Sequence, residues 1–191
     1  LFLSGMLLMM AASTLTAADP KALFRAPRAY PSGVNSVAVA AADFNGDHRQ
    51  DLAVVNSESN TVSILLNGAA GVFEPAVNYT VPPLAEAIAV GDFNGDRVPD
   101  LAVAVDNGVA ILLGRGDGTF QAEITTAVPC LCYAVAAGDF NQDGKTDLIV
   151  GGMPNPASRG SLAILLGKAM ERFKQLQFWD RARYFLWPWR I

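Results

Sequence analysis

Basic charge, histidine and cysteine are all scarce in this 191-residue chain, and each shortage excludes a class of function. Residues 1–167 carry eight Lys and Arg against sixteen Asp and Glu, a balance of −8, whereas residues 168–191 carry six against two, a balance of +4. With no basic patch in its body and a pI near 4.9, the chain lacks the electrostatic footprint of a nucleic-acid binder. His48 is the single histidine, so no Ser-His-Asp or Cys-His set can be assembled, and no phosphate-cradling G-x-x-x-x-G-K-[ST] loop occurs. No catalytic residues and no enzymatic activity are expected. Cys130 and Cys132 are the only cysteines, and their C-x-C spacing offers no zinc set. On a strand both would face one side, and two small packed residues are expected there rather than a local disulfide.

Long apolar runs are missing too, except at the start. Residues 1–18 are apolar, with Ser4, Gly5, Ser13, Thr14 and Thr16 interspersed, and end on small residues before Asp19. This pattern reads as a secretory signal peptide, with Thr16-Ala17-Ala18 as the cleavage site, and the polar interruptions disfavour a membrane anchor. The mature chain is therefore expected to be secreted or at the cell surface, with no membrane span. At 51% apolar and 17% charged residues it has the composition of a folded domain.

What the chain does have is a repeat. The stretches "ADFNGDHRQDLAVV", "GDFNGDRVPDLAVA" and "GDFNQDGKTDLIVG" place their first Asp at 43, 92 and 139. "SILL", "AILL" and "AILL" end at Leu66, Leu113 and Leu166, each followed seven residues later by Phe73, Phe120 and Phe173. Within a repeat, short β-branched runs alternate with turn residues: "SVAVAA", "DLAVV", "TVSILL" and "VFEPAVNY" are four expected strands. Four short antiparallel strands at a period just under fifty residues predict an all-β fold: a partial β-propeller of about three four-stranded blades, near residues 24–72, 73–119 and 120–167. Runs such as "AIAV" and "VAILL" fit strands covered on both faces.

The acids of the repeat sit at positions 1, 3, 5 and 9 of a loop. They are Asp43, Asn45, Asp47 and Asp51; Asp92, Asn94, Asp96 and Asp100; and Asp139, Asn141, Asp143 and Asp147. Position 7 is Arg49, Val98 or Lys145, so only its backbone carbonyl is common to the copies. Alternate positions of a curled loop converge on one point, and Ca²⁺ takes about 6 to 8 oxygen ligands at roughly 2.3–2.6 Å. Three Ca²⁺ sites are expected, one per loop. The position 12 Glu of an EF-hand is absent, with Val54, Val103 and Val150 there instead. The plainer alternative is a polar hairpin capped by Asx side chains. It accounts for one Asn-Gly, but not for the same four positions filled three times. Mg²⁺ suits a cage of protein oxygens less well.

With these residues in hand, the chain resembles the FG-GAP and VCBS-type repeats of integrin α-subunit heads and of many secreted bacterial proteins, over roughly residues 24–173. The resemblance implies an extracellular calcium-binding propeller, with the ion held between the first two strands of a blade. It also implies a structural or ligand-recognition role of the adhesion type, with an extracellular protein or glycan as partner. Such propellers usually close with about seven blades, and an arc of three leaves faces and edges open to self-association. Two alternatives stand beside this reading. A carbohydrate-binding propeller would repeat exposed aromatics, and Tyr30 and Tyr79 match in place although Thr126 follows them. An accessory role to an enzyme domain is the other. Arg115-Gly116-Asp117 spells a cell-attachment tripeptide, but it lies in the repeat's own Gly-x-Gly-Asp-Gly turn.

Residues 168–191 depart from the pattern and hold all three Trp. As written, Met170, Phe173, Leu176, Trp179, Ala182 and Leu186 form a helical stripe. The codons of Lys168 onward, with one base restored, permit Lys-Gly-Asp-Gly-Thr-Phe-Gln, the repeat's own turn. The tail is therefore expected to be a frameshifted fourth blade rather than a membrane-surface helix.

Overall fold

A computed structural model of the chain describes residues 27–154, 161–167 and 176–179. The expected signal peptide lies outside the described residues, as does most of the tail. The described chain is all-β, with a single 3-10 turn at Ala69–Gly71.

The strands fall where β-branched runs are bounded by Asn, Asp and Gly. In the first repeat, β1 (Ser36–Ala42), β2 (Asp51–Asn56), β3 (Thr61–Leu65) and β4 (Val77–Thr80) form one antiparallel sheet in sequence order. The second sheet contains β5 (Ala87–Gly91), β6 (Asp100–Leu112), β7 (Ile124–Gly138), β8 (Asp147–Pro154), β9 (Ser161–Leu165) and β10 (Leu176–Trp179), again antiparallel and in order. Two hydrogen-bonded sheets thus take the place of three separate ones.

β6 doubles back on itself. Its first residue, Asp100, accepts a hydrogen bond at 2.8 Å from the backbone N–H of Gly114, although a straight strand would hold those residues roughly 45 Å apart. The reversal lies at Asp106-Asn107-Gly108, where the ladder to β7 shifts register and Asn107 takes a left-handed φ of 56°. β7 then runs from the edge of the second repeat into the first strand of the third, pairing with β6 through Ile124–Leu131 and with β8 through Cys130–Gly138. That continuity is what joins two repeats into one sheet.

The core is stacked between repeats. One cluster sets Ala53, Val55, Val62 and Ile64 of the first repeat against Leu101, Val103, Ala110 and Leu112 of β6. The other sets Ala102, Ala104, Val109 and Ile111, from the opposite face of β6, against Leu148, Val150, Ala163 and Leu165. Nearly every residue of β6 is buried, as the unbroken apolar runs predict. At about 1.5–3 kcal/mol per buried aliphatic side chain, these inter-repeat layers supply most of what stabilises the sheets.

One expectation needs correction. Cys130 and Cys132 are joined in a disulfide as well as buried in the second cluster. They immediately precede the register shift between Cys132 and Ala134, where the strand is no longer regular. In the tail, Leu176–Trp179 pairs antiparallel with Leu162–Leu165 as an edge strand. An open strand edge on β9 satisfies its backbone groups better than an isolated helical turn would.

Candidate functional site

Each acidic stretch connects two antiparallel strands: β1 to β2, β5 to β6, and β7 to β8. The chain curls because positions 4 and 6 are both left-handed in every copy. They are Gly46 and His48, Gly95 and Arg97, Gln142 and Gly144. At least one member of each pair is glycine, which takes that conformation without Cβ strain.

The curl turns the loop's backbone N–H groups toward the carboxylate at position 1. Asp43 accepts from Gly46 at 2.7 Å, Asp47 at 3.1 Å and His48 at 2.8 Å. Asp92 accepts from Gly95 at 2.6 Å, Asp96 at 3.2 Å and Arg97 at 2.8 Å. Asp139 accepts from Asp143 at 3.1 Å and Gly144 at 2.9 Å. The side-chain amides of Asn45, Asn94 and Asn141 donate to Asp47, Asp96 and Asp143 at 2.9, 2.8 and 3.2 Å. These carboxylates in turn accept from the backbone N–H of position 7, Arg49, Val98 and Lys145, at 2.9, 2.8 and 3.0 Å.

Position 9 has a different job. Asp51, Asp100 and Asp147 have no solvent exposure. Each grips backbone on two sides: Phe44 and Asn67 at 2.9 and 2.7 Å, Phe93 and Gly114 at 2.9 and 2.8 Å, Phe140 and Gly167 at 3.0 and 2.7 Å. One carboxylate therefore staples the start of its loop to the far end of the following hairpin. The second partner of each staple is a backbone amide, which no side-chain pattern announces.

The three loops differ in how their charge is met. In the first, the Arg49 guanidinium pairs with Asp47 and also donates to the Asn67 carbonyl, while His48 lies 3.8 Å from Asp43. Among the described residues the second and third loops show no ion pair. Burial, with the Asp96 and Asp92 charges adding to it, pushes Asp100 up to about 6 against the two backbone bonds that favour its anion. Desolvation pushes the half-buried Asp43 up, but the backbone N–H groups that it accepts, the His48 bond foremost, together outweigh it and hold the carboxyl below the usual range.

Among the described residues, no group of three or more His, Cys, Asp or Glu side chains is already drawn together to hold a metal ion. The carboxylates of a loop are instead spread over backbone partners. The donor set nonetheless suits a hard cation: three carboxylates and one amide oxygen on a glycine-curled loop, with lone pairs beyond those used by N–H donors.

Other candidates settle into the framework. Tyr79 accepts a hydrogen bond from the Phe120 N–H at 3.1 Å and packs edge-on against that ring, and Tyr30 packs edge-on against Phe73. Asp117 accepts from both the N–H and the hydroxyl of Thr119, which draws its carboxyl below the usual range, the hydroxyl bond most. It closes its own turn, while Gly118 donates to the Phe44 carbonyl beneath the first loop.

The chain is therefore a repeat-built all-β protein in which one acidic loop is constructed three times. The model of the FG-GAP-like repeat matches residues 43–103 and 92–150, which together span more than half of the chain, and the chain belongs to that family. No curated protein matches it. No helix among the described residues is long and apolar enough to cross a membrane.

Proposed function

We propose that the chain is an extracellular, calcium-binding, propeller-type repeat module with a structural or ligand-recognition role of the adhesion kind. The observation that carries the reading is the threefold construction of one loop, with the same donors at positions 1, 3, 5 and 9. A turn alone needs no carboxylate at both positions 1 and 5, since their mutual repulsion works against it.

In this reading the three repeats are three blades, near residues 24–72, 73–119 and 120–167, with β4 and the start of β7 lying just past a boundary and completing the sheet of the blade before. Asp43, Asn45, Asp47 and Asp51 hold one Ca²⁺ with the carbonyl of Arg49. Asp92, Asn94, Asp96, Asp100 and Val98 hold the second; Asp139, Asn141, Asp143, Asp147 and Lys145 hold the third. The ion neutralises the loop and fixes the joint between two strands, and no reaction is assigned to it. Tyr30 and Tyr79 are half-buried and pack edge-on against Phe73 and Phe120, which favours a framework role for them over a glycan-binding one.

Thermal unfolding of the whole chain by circular dichroism, in excess calcium and in chelator, tests the assignment. A ligand that binds only the native state stabilises it by about 2.7 kcal/mol per site at 100-fold excess over its dissociation constant. A midpoint higher in calcium by many degrees, with titration calorimetry counting about three ions, is expected. A cooperative transition at one midpoint in both conditions would reduce the loops to turns.

A further inference from the structure

The stack of repeats has two unlike ends, and we propose that they bind each other: a second copy of this chain seats its first repeat on the third repeat of the first copy, head to tail. This rests on reading the repeats as stacked blades and adds the partner that the open faces take.

The argument is one of equivalent positions. In β5 and β6, Ile88, Leu101 and Val103 are covered by the first repeat; in β7 and β8, Val135, Leu148 and Val150 are covered by the second. Their counterparts in the first repeat are Val39, Leu52 and Val54, one full period earlier. Val39 is 63% exposed, and Leu52 and Val54 are half-buried. The opposite face behaves in the same way. Val62 and Ile64, and then Val109 and Ile111, are buried beneath the repeat that follows. Their counterparts in the third repeat are Leu162, which is 41% exposed, and Ile164, which is half-buried. The surface at each end is thus apolar at most of the places where the interior interfaces are apolar, the exceptions being Asn56 and Ser63, which stand where the second repeat has Val105 and Ala110. The surface that fits one end is already present in the same molecule, at the other.

The first repeat carries polar side chains on this face as well, and they do not oppose its burial. Asn56 donates to Ser63 at 2.8 Å, Ser63 donates to Asn78 at 2.7 Å, and Ser36 donates to Asn56 at 2.9 Å. Asn56 and Ser63 are already out of water, and covering a self-satisfied network costs little. A head-to-tail contact is heterologous, so it repeats until a ring closes or a chain of copies grows.

Sedimentation of the whole chain in calcium, over a series from low to high micromolar, should show mass rising with concentration. Val39→Lys and Leu162→Lys each alter one exposed end, and each alone should remain a single copy. Mixed in equal amounts, the two variants retain one intact pair of ends between them, so the mixture should form a two-copy complex and nothing larger. Wild-type chain of single-copy mass throughout would overturn the proposal. So would single variants that associate as the wild type does, or a mixture that stays unpaired. Circular dichroism in calcium and chelator on the same samples keeps the two readings apart. A calcium-dependent midpoint in a strictly single-copy protein would sink the stacking while leaving the metal loops standing.

Discussion

At the scale of single residues, the acids of one loop divide into two kinds, and the division predicts unequal losses on substitution in chelator. Asp100 is buried and bonds the N–H groups of Phe93 and Gly114, so Asp100→Ala strands two donors in an enclosed place. It should cost about 2–4 kcal/mol in denaturant unfolding in chelator, and in calcium it should also lose the stabilisation of the site that Asp100 helps to hold. Asp96 is exposed and bonds only within its own loop. Asp96→Ala should cost under about 1 kcal/mol in chelator, yet lower the calcium-induced rise in midpoint by a third or more of the stabilisation per site given above. Equal losses in both variants under both conditions would show that the loop has no ligand. The buried carboxylate also gives a pH signature. Asp100 titrates near 6 in the folded chain and at an ordinary 3.8 when exposed, so the folded state holds this proton more tightly. Its contribution to stability is full below about pH 4 and is lost as pH rises through 6, on the order of 2 kcal/mol. Urea midpoints in chelator should accordingly fall from pH 4 to 7, and bound calcium should reverse the slope by favouring the anion.

At the scale of elements, β6 is the member on which both inter-repeat layers depend. Leu112 lies in one layer with no exposure, so Leu112→Ala should cost about 2–5 kcal/mol, through lost transfer energy and the cavity left behind. Val39→Thr, at an open end of the stack, should change stability by less than about 0.5 kcal/mol at single-copy concentration. A small loss at Leu112 would mean that the repeats fold independently of one another. Much of this architecture was legible beforehand, because the apolar runs of "DLAVAVDNGVAILL" have strand length and "DNG" is a turn. The loops were legible for another reason: side-chain oxygens recur at fixed spacing. What stayed hidden depends on backbone. The amides of Asn67, Gly114 and Gly167 that complete the staples come 16, 14 and 20 residues after their carboxylates and carry no residue signature. The disulfide was hidden as well. Two cysteines on one strand face are compatible with bonded and unbonded packing alike, and the register shift beside Cys132 arises from tertiary pairing that spacing does not encode.

At the scale of the whole molecule, charge is concentrated where the repeats meet. Nine of the sixteen acids in residues 1–167 lie in the three loops, and the second and third loops flank one cleft, which Asp92 and Gly95 enter from one side and Gly144 and Lys145 from the other. Repulsion among exposed carboxylates in neighbouring loops is a solvent-screened term, with a range of about 10 Å at 0.1 M salt and about 3 Å at 1 M. Sodium chloride should therefore raise the midpoint of the chelated chain, by screening charges that no ion neutralises. In saturating calcium the same salt should have little effect, because three divalent ions would take the body from −8 to −2 and leave little repulsion to screen. The two midpoints should converge as salt increases, the chelated one moving most. Thermal scans over a sodium chloride series measure both arms. Parallel curves would mean that the loop acids do not repel across repeats, and that calcium, where it binds, acts by ordering each loop alone.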